Sequence, residues 1–385
     1  MRATLALLVT TLILGLDYGP VLAQTQPSDV PALESIHMVD ALAGWAVTHE
    51  PGAERLLRTS DGGRRWVDVS PSNLSRERAG SFCVGVLGSV AAWVALSDTA
   101  AWDLTGTTHV FHTVDGGRTW RNVAVPALDA KSIHFINPHD GWLLSKELDG
   151  SGMGREAANI YRSVDSGATW KKIAGTSAHD ESSGLPLVGA KMAITFRNST
   201  TGWITGGGIV NDQLHVYLTR DGGRSWRQQG IPLPPDVTSP WHDHPIPPKF
   251  FTAQDGILAV EYDYGETQNP PSYISIVVFY ATHDGGKTWK YTTPVPARLT
   301  YWDSPSSFVD MNHGWASDGH TLYVTSDGGR QWTKIEPNPA FVDVTQLDFI
   351  SPEVGWAVRQ TSPFLVKTVD GGHTWASLLY TVSRR

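Results

Sequence analysis

Residues 325–332 read TSDGGRQW, and six other stretches repeat the pattern: TSDGGRRW at 59–66, TVDGGRTW at 113–120, SVDSGATW at 163–170, TRDGGRSW at 219–226, THDGGKTW at 282–289 and TVDGGHTW at 368–375. A Thr or Ser opens each cassette, Asp stands third (Asp61, Asp115, Asp165, Asp221, Asp284, Asp327 and Asp370), Gly stands fifth and Trp eighth. Such a run encodes a tight hairpin turn. The hydroxyl residue ends a strand, the carboxylate accepts amide hydrogens across the turn, and Gly supplies the positive φ the turn demands. The Trp anchors the strand that follows by burying a large ring.

A second element precedes each cassette. Gly44-Trp45, Gly141-Trp142, Gly202-Trp203, Gly314-Trp315 and Gly355-Trp356 open strands, with Ala92-Trp93 and Gly256-Ile257 as degenerate copies. Six residues earlier stand Met38, Phe135, Phe196, Phe308, Phe349, Val86 and Phe250 respectively. Each unit thus reads as an apolar strand, a turn, a second apolar strand, a loop, a third strand, the cassette and a fourth strand. Repeats of roughly 40 to 50 residues built from short strands signal propellers or arrays. The prediction is an all-β seven-bladed β-propeller of four-stranded antiparallel blades, with repeats over 33–380 and a single domain over 24–385.

The ends and the composition add context. Residues 1–23 place Arg2 before an apolar run of about 14 residues and small residues at Val21 and Ala23, the layout of a secretory signal peptide cut after Ala23. No further apolar run reaches the about 18 residues of a span, so the expectation is a secreted or periplasmic chain with no membrane span after cleavage. Cleavage removes Arg2 and Asp17 together and leaves the formal net charge at −8. That balance argues against nucleic acid, whose phosphates require Lys and Arg. Cys83 has no partner for an intrachain disulfide and reads as a buried, inert thiol. No cofactor and no metal are expected, and a monomer is.

Because the cassettes and the Gly-Trp turns join strands three to four and one to two, they share one face of the ring, the bottom. The variable loops share the top. Successive cassette Asp residues are 54, 50, 56, 63, 43 and 43 residues apart, so added sequence is concentrated in the segments closing blades two to five. Loops on rigid scaffolds carry function, which points to the top of those blades. Of 16 Trp, only Trp102, Trp241 and Trp302 lack a place in the repeat, and each is followed by an acid within two residues. The candidate ligand-binding residues are therefore Trp102, Asp103, Trp241, Asp243, Trp302 and Asp303, joined by Tyr262, Asp263 and Glu266 from an acid–aromatic alternation. A flat ring beside a carboxylate suits a sugar or a protein hot spot, and equally a loop pinned to the ring. His242 and His244 are two apart, as metal ligands on an extended segment would be, but no further ligands are identifiable. The Gly- and Ser-rich insert from Ser145 reads as a mobile hairpin tip. His37, His134, Thr195, Lys249, Ser307 and Asp348 precede the strand-one apolar positions and are expected near the central channel, as satisfied polar residues rather than ligands.

The cassette matches the Asp-box, or bacterial neuraminidase repeat. Seven boxes paired with Gly-Trp strands resemble the photosystem II assembly and stability factor family over 33–380. That resemblance implies a non-catalytic propeller on the exported side of a membrane that helps other proteins assemble. Sialidases resemble the chain only in the boxes, since Phe196-Arg197-Asn198 is not their arginine motif and no Glu-Tyr pair can be placed. Xyloglucanase-type hydrolases resemble it in blade pattern but work between two propellers. The expected function is an exported, non-catalytic binding scaffold for protein partners or a polysaccharide. The alternative is a glycoside hydrolase drawing a carboxylate pair from Asp103, Asp243, Asp263, Glu266 and Asp303.

Overall fold

The computed structural model of the chain describes residues 30–48, 50, 53–72, 74, 80–98, 106–152, 154–209, 213–235, 237–238, 240–264, 274–295, 305–336, 341–361 and 364–385. The described residues contain no helix, and so none long and apolar enough to cross a membrane. Each cassette belongs to one four-stranded antiparallel unit, numbered here in chain order. Unit 7, for example, runs Val344–Phe349, Gly355–Arg359, Leu365–Thr368 and Ala376–Ser377, each strand pairing with the next. Units 4 and 5 are fused into one nine-stranded sheet. The whole is consistent with a β-propeller.

The cassette geometry is the same in every unit. In unit 2, Thr113 Oγ1 donates to Asp115 Oδ1 and accepts from Gly117 N, while Thr119 N donates to the same carboxylate oxygen. Against the penalty of partial burial, the bonds from Thr119 and Thr113 hold Asp115 down to about 2. The fifth-position glycine carries a second constraint beyond its positive φ. A Cβ on Gly223 would meet Ile173, Phe196 and the Trp142 indole of the preceding unit.

That contact belongs to the seam between units. Trp142 of unit 3 stacks on Phe196 of unit 4 with centroids 3.7 Å apart, and donates Nε1–H to Gly222 O in the unit 4 cassette. Trp93 treats Phe135 and Ser166 O likewise, and Trp315 treats Phe349 and Gly371 O. Each of these Phe rings also meets the cassette Trp of its own unit edge-on. The Gly-Trp tryptophans thus hold neighbours together, beyond the strand-anchoring role their spacing suggested. The glycine beside them has a matching reason: Phe135, Phe196, Phe308 and Phe349 fold over their cross-strand partners Gly141, Gly202, Gly314 and Gly355, where a Cβ would strike the ring. In unit 2 the ring shrinks to Val86, and its partner is Ala92.

The C-terminus supplies the closing strand, a fifth in the sheet of unit 1. Thr381–Arg384 pairs in parallel with Arg65–Asp68 of unit 1, and buried Tyr380 donates its hydroxyl to Pro31 O. Trp356 donates to Gly62 O, which seats unit 7 on unit 1. The insert in unit 3 is a hairpin, as its composition suggests: strands Gly141–Gly152 and Arg155–Ser163 run into it as one long antiparallel pair. The end of this hairpin near its turn is tied to unit 4 by Lys191, whose buried ammonium lies within hydrogen-bond distance of the carbonyls of Glu156, Leu187, Val188 and Gly189 and shares its three donors among them.

Candidate functional site

Inner strands turn one backbone edge toward the axis, where N–H and C=O groups need partners. Side chains from the preceding unit supply them. Ser132 Oγ accepts from Ile194 N and His134 donates Nε2–H to Phe196 O. Lys249 Nζ donates to Phe308 O, and Ser307 Oγ accepts from Phe349 N. Gln346 exchanges two bonds with the Ile36 backbone, and Asp348 Oδ2 accepts from Met38 N at 2.5 Å. One-residue bulges in units 1, 3, 4 and 7, at Leu33/Ser35, Ala130/Ser132, Lys191/Ala193 and Val344/Gln346, recur at matching places on these strands.

These strands enclose an axial cavity of about 1110 Å³, lined by all six predicted channel residues, His37, His134, Thr195, Lys249, Ser307 and Asp348. Four of the six, His134, Lys249, Ser307 and Asp348, make the backbone bonds expected of satisfied polar groups. The lining is electrostatically lopsided. His37, His134, Arg197 and Lys249 face the space, with Asp348 the one carboxylate among the described lining residues. Burial raises the Asp348 carboxyl against the opposing pull of the Met38 amide, His37 and Lys249. Burial also lowers Lys249, with Asp348 opposing it, and lowers His134.

The predicted top-face residues fare differently. Trp102, Asp103, Glu266, Trp302 and Asp303 lie outside the described residues. Trp241 is 59% exposed at the start of the inner strand of unit 5, and its amide donates to Asp263 O. Asp243 and Tyr262 are corrections, because both are fully buried and neither offers surface to a ligand. Asp243 accepts from His215 N and from His215 Nδ1 at 2.5 Å, and Tyr262 shares a hydrogen bond with the Tyr280 hydroxyl. Asp263 is also turned inward: burial opposes its ionisation, but bonds from His244 Nε2 and Ser275 Oγ hold its carboxyl low. The pairing with Asp263 in turn raises His244. His242 and His244 do lie on one strand, His242–Pro245, yet no group of three His, Cys, Asp or Glu among the described residues is arranged around a metal ion.

The inner strand of unit 5 explains the burial. It pairs with Gly256–Tyr264 of its own unit and, through Gly208↔Asp243 and Ile209↔His242, with the second strand of unit 4. Gly206, Gly207 and Gly208 permit the crossing: a Cβ on Gly206 would land on Ala190 O, on Gly207 it would reach His244 Nδ1 at 3.0 Å, and on Gly208 the His215 ring at 2.8 Å. Sequence reasoning missed this junction and the His215–Asp243 pair. The three-glycine run at 206–208, in the 56-residue interval between Asp165 and Asp221, was the available signal. Cys83 is half-buried rather than buried; burial first, then the Asp129 charge, push its thiol up to about 12.

Neither a protein-family model nor a curated protein matches the chain. Among solved structures, that of YCF48 bound to D1 peptide is similar at 17% identity, covering 92% of this chain and 96% of that one with a TM-score of 0.55. The likeness supports a β-propeller fold. The α-L-arabinanase of Penicillium chrysogenum complexed with arabinobiose is similar at 14% identity, with 80% and 96% coverage and a TM-score of 0.44. A polysaccharide lyase, an ulvan lyase, is similar at 10% identity, with 91% and 97% coverage and a TM-score of 0.46. At these identities the likenesses concern fold alone.

Proposed function

We propose that this chain is an exported, seven-bladed Asp-box propeller, residues 24–385 after loss of 1–23, that acts as a non-catalytic binding scaffold for protein partners. The observation that carries the reading is the axial cavity, which is open, lined by apolar and polar side chains together, and supplied with one carboxylate among the described lining residues. A glycosidase needs two carboxyl groups about 5 to 10 Å apart flanking the scissile bond. Of the five candidate carboxylates, the two that are described, Asp243 and Asp263, are both engaged by histidines and turned into the sheet. The YCF48 structure, bound to a peptide, lends support to a protein ligand.

A glycan is the second reading, favoured by the exposed indole of Trp241. Two measurements test the choice. A photo-crosslinking residue at position 37, facing the cavity, should trap one protein in the source cell, and that protein, purified, should rebind the wild-type chain. Tryptophan fluorescence and a reducing-end assay on a panel of soluble polysaccharides address the rest. A shift lost in Trp241→Ala without new reducing ends would favour the glycan, and new reducing ends would establish the hydrolase alternative.

A further inference from the structure

The formal net charge of the chain is −8, yet among the charged residues lining the cavity on its axis the basic Arg197 and Lys249 outnumber the one carboxylate, Asp348. A recess lined mainly by one sign of charge, with low-dielectric walls, focuses field lines and concentrates the opposite ion. Resting on the scaffold reading above, we propose that the axial cavity receives an acidic peptide segment of the protein partner, its carboxylates set against Lys249 and Arg197.

Size and donors fit that ligand. At about 1110 Å³ the cavity is slightly larger than the roughly 300 to 1,000 Å³ of small-molecule pockets, enough for several residues of extended chain. An ammonium carries three donors. Lys249 spends one on Phe308 O, which leaves two for a ligand, and its side chain stands exposed to the cavity. Arg197 is held in place by a bond from Nη1 to Ala253 O and by its guanidinium lying 5.5 Å over the Phe250 ring, so it is preorganised rather than free to swing. His37 is exposed to the same space and adds charge when protonated.

Asp348 is the opposing element. It receives the Met38 amide, and it sits where Lys249 and His37 both act on its charge. It thus offsets part of the positive field while the cavity is empty, and its removal should strengthen rather than weaken acidic ligands. A residue that served only to tie two strands together would not give that sign.

The test uses the mature full-length chain and fluorescein-labelled hexaglutamate, hexaglutamine and hexalysine, read by fluorescence anisotropy. Hexaglutamate should bind best, and more weakly as salt shortens the screening length from about 30 Å at 0.01 M to about 8 Å at 0.15 M. Lys249→Gln keeps a donor for Phe308 O and removes the charge, so it should weaken hexaglutamate about fivefold or more, and Asp348→Asn should strengthen it severalfold. His37→Gln, at an exposed position, gives a second variant should Lys249→Gln fold poorly. Unchanged affinity in both, or a preference for hexalysine, would overturn the proposal. If the position-37 crosslink still traps a partner while hexaglutamate does not bind, the acidic ligand falls and the scaffold reading stands. Loss of both would remove both.

Discussion

The seam between units 6 and 7 and the junction of units 4 and 5 start from the same cassette and solve the same packing problem in different ways. At the first, Trp315 lies flat on Phe349 at 3.7 Å and 4°, donates to Gly371 O, and the two sheets stay separate. At the second, Trp203 sits 5.0 Å from Phe250 at 28°, and its indole reaches unit 5 through Gln229, which in turn donates to Gly286 O. Strand pairing and the buried His215–Asp243 bond join the two sheets there. One seam is held by stacking; the other combines a looser stack with directional bonds. At the junction of units 4 and 5 the generic stack is loosened, and the added bonds take over part of its work.

Removing the ring should separate the two seams. Trp315→Ala should cost about 3 to 5 kcal/mol, the range for emptying a buried aromatic site. Trp203→Ala should cost less, because strand pairing survives it. Urea unfolding of both variants measures the difference, and equal losses would break the comparison. Asp243→Ala attacks the second seam directly. It strips two hydrogen-bonded His215 groups of their acceptor, and about 2 to 3 kcal/mol of stability should go with it, read by the same unfolding curves.

The pH dependence sharpens the contrast between the shared cassette and the local insert. Asp115 and Asp284 are each held down to about 2 in the fold, against 3.8 ordinarily, by bonds that outweigh partial burial. A depressed carboxyl contributes stability above its unfolded pKa and loses it as pH falls through the folded value. Acid melts between about pH 4 and 2 should therefore show a steep loss, shallower in Asp115→Asn. The smallest effect belongs to Lys191, which burial brings to about 8 despite Glu156 and Glu181. A lowered ammonium means that the unfolded chain binds more protons between about pH 8 and 10.5, so this group's contribution rises with pH across that window. Thermal melts of Lys191→Met against wild type over the same window should show that increment missing.

Much of this architecture was legible because it is local. The Thr–Asp–Gly bonds of each cassette span no more than four residues, so their geometry follows from the run TSDGGRQW itself. The Phe–Gly match was latent in a six-residue spacing, and the expected polar ring around the axis was read from position alone. What could not be read was which neighbour each side chain would meet. Trp142 finds Gly222 O across 80 residues, and Gln346 finds Ile36 across 310. Asp243 was chosen as a ligand-binding acid from its place beside Trp241, two residues away. Whether a carboxylate two residues from an exposed indole faces water or a buried histidine depends on strand register across sheets, and the sequence interval is silent on that.

The sequence by itself determined the repeating unit and its turns, since hydrogen bonds within a hairpin and the side-chain volumes on adjoining strands are short-range matters. Tertiary structure decided the closing strand from the C-terminus, the fusion of units 4 and 5, and the positive cavity inside an acidic protein. Those depend on how strands from units far apart in the chain converge on one axis, where long-range electrostatics and burial are set by the whole ring rather than by any one cassette.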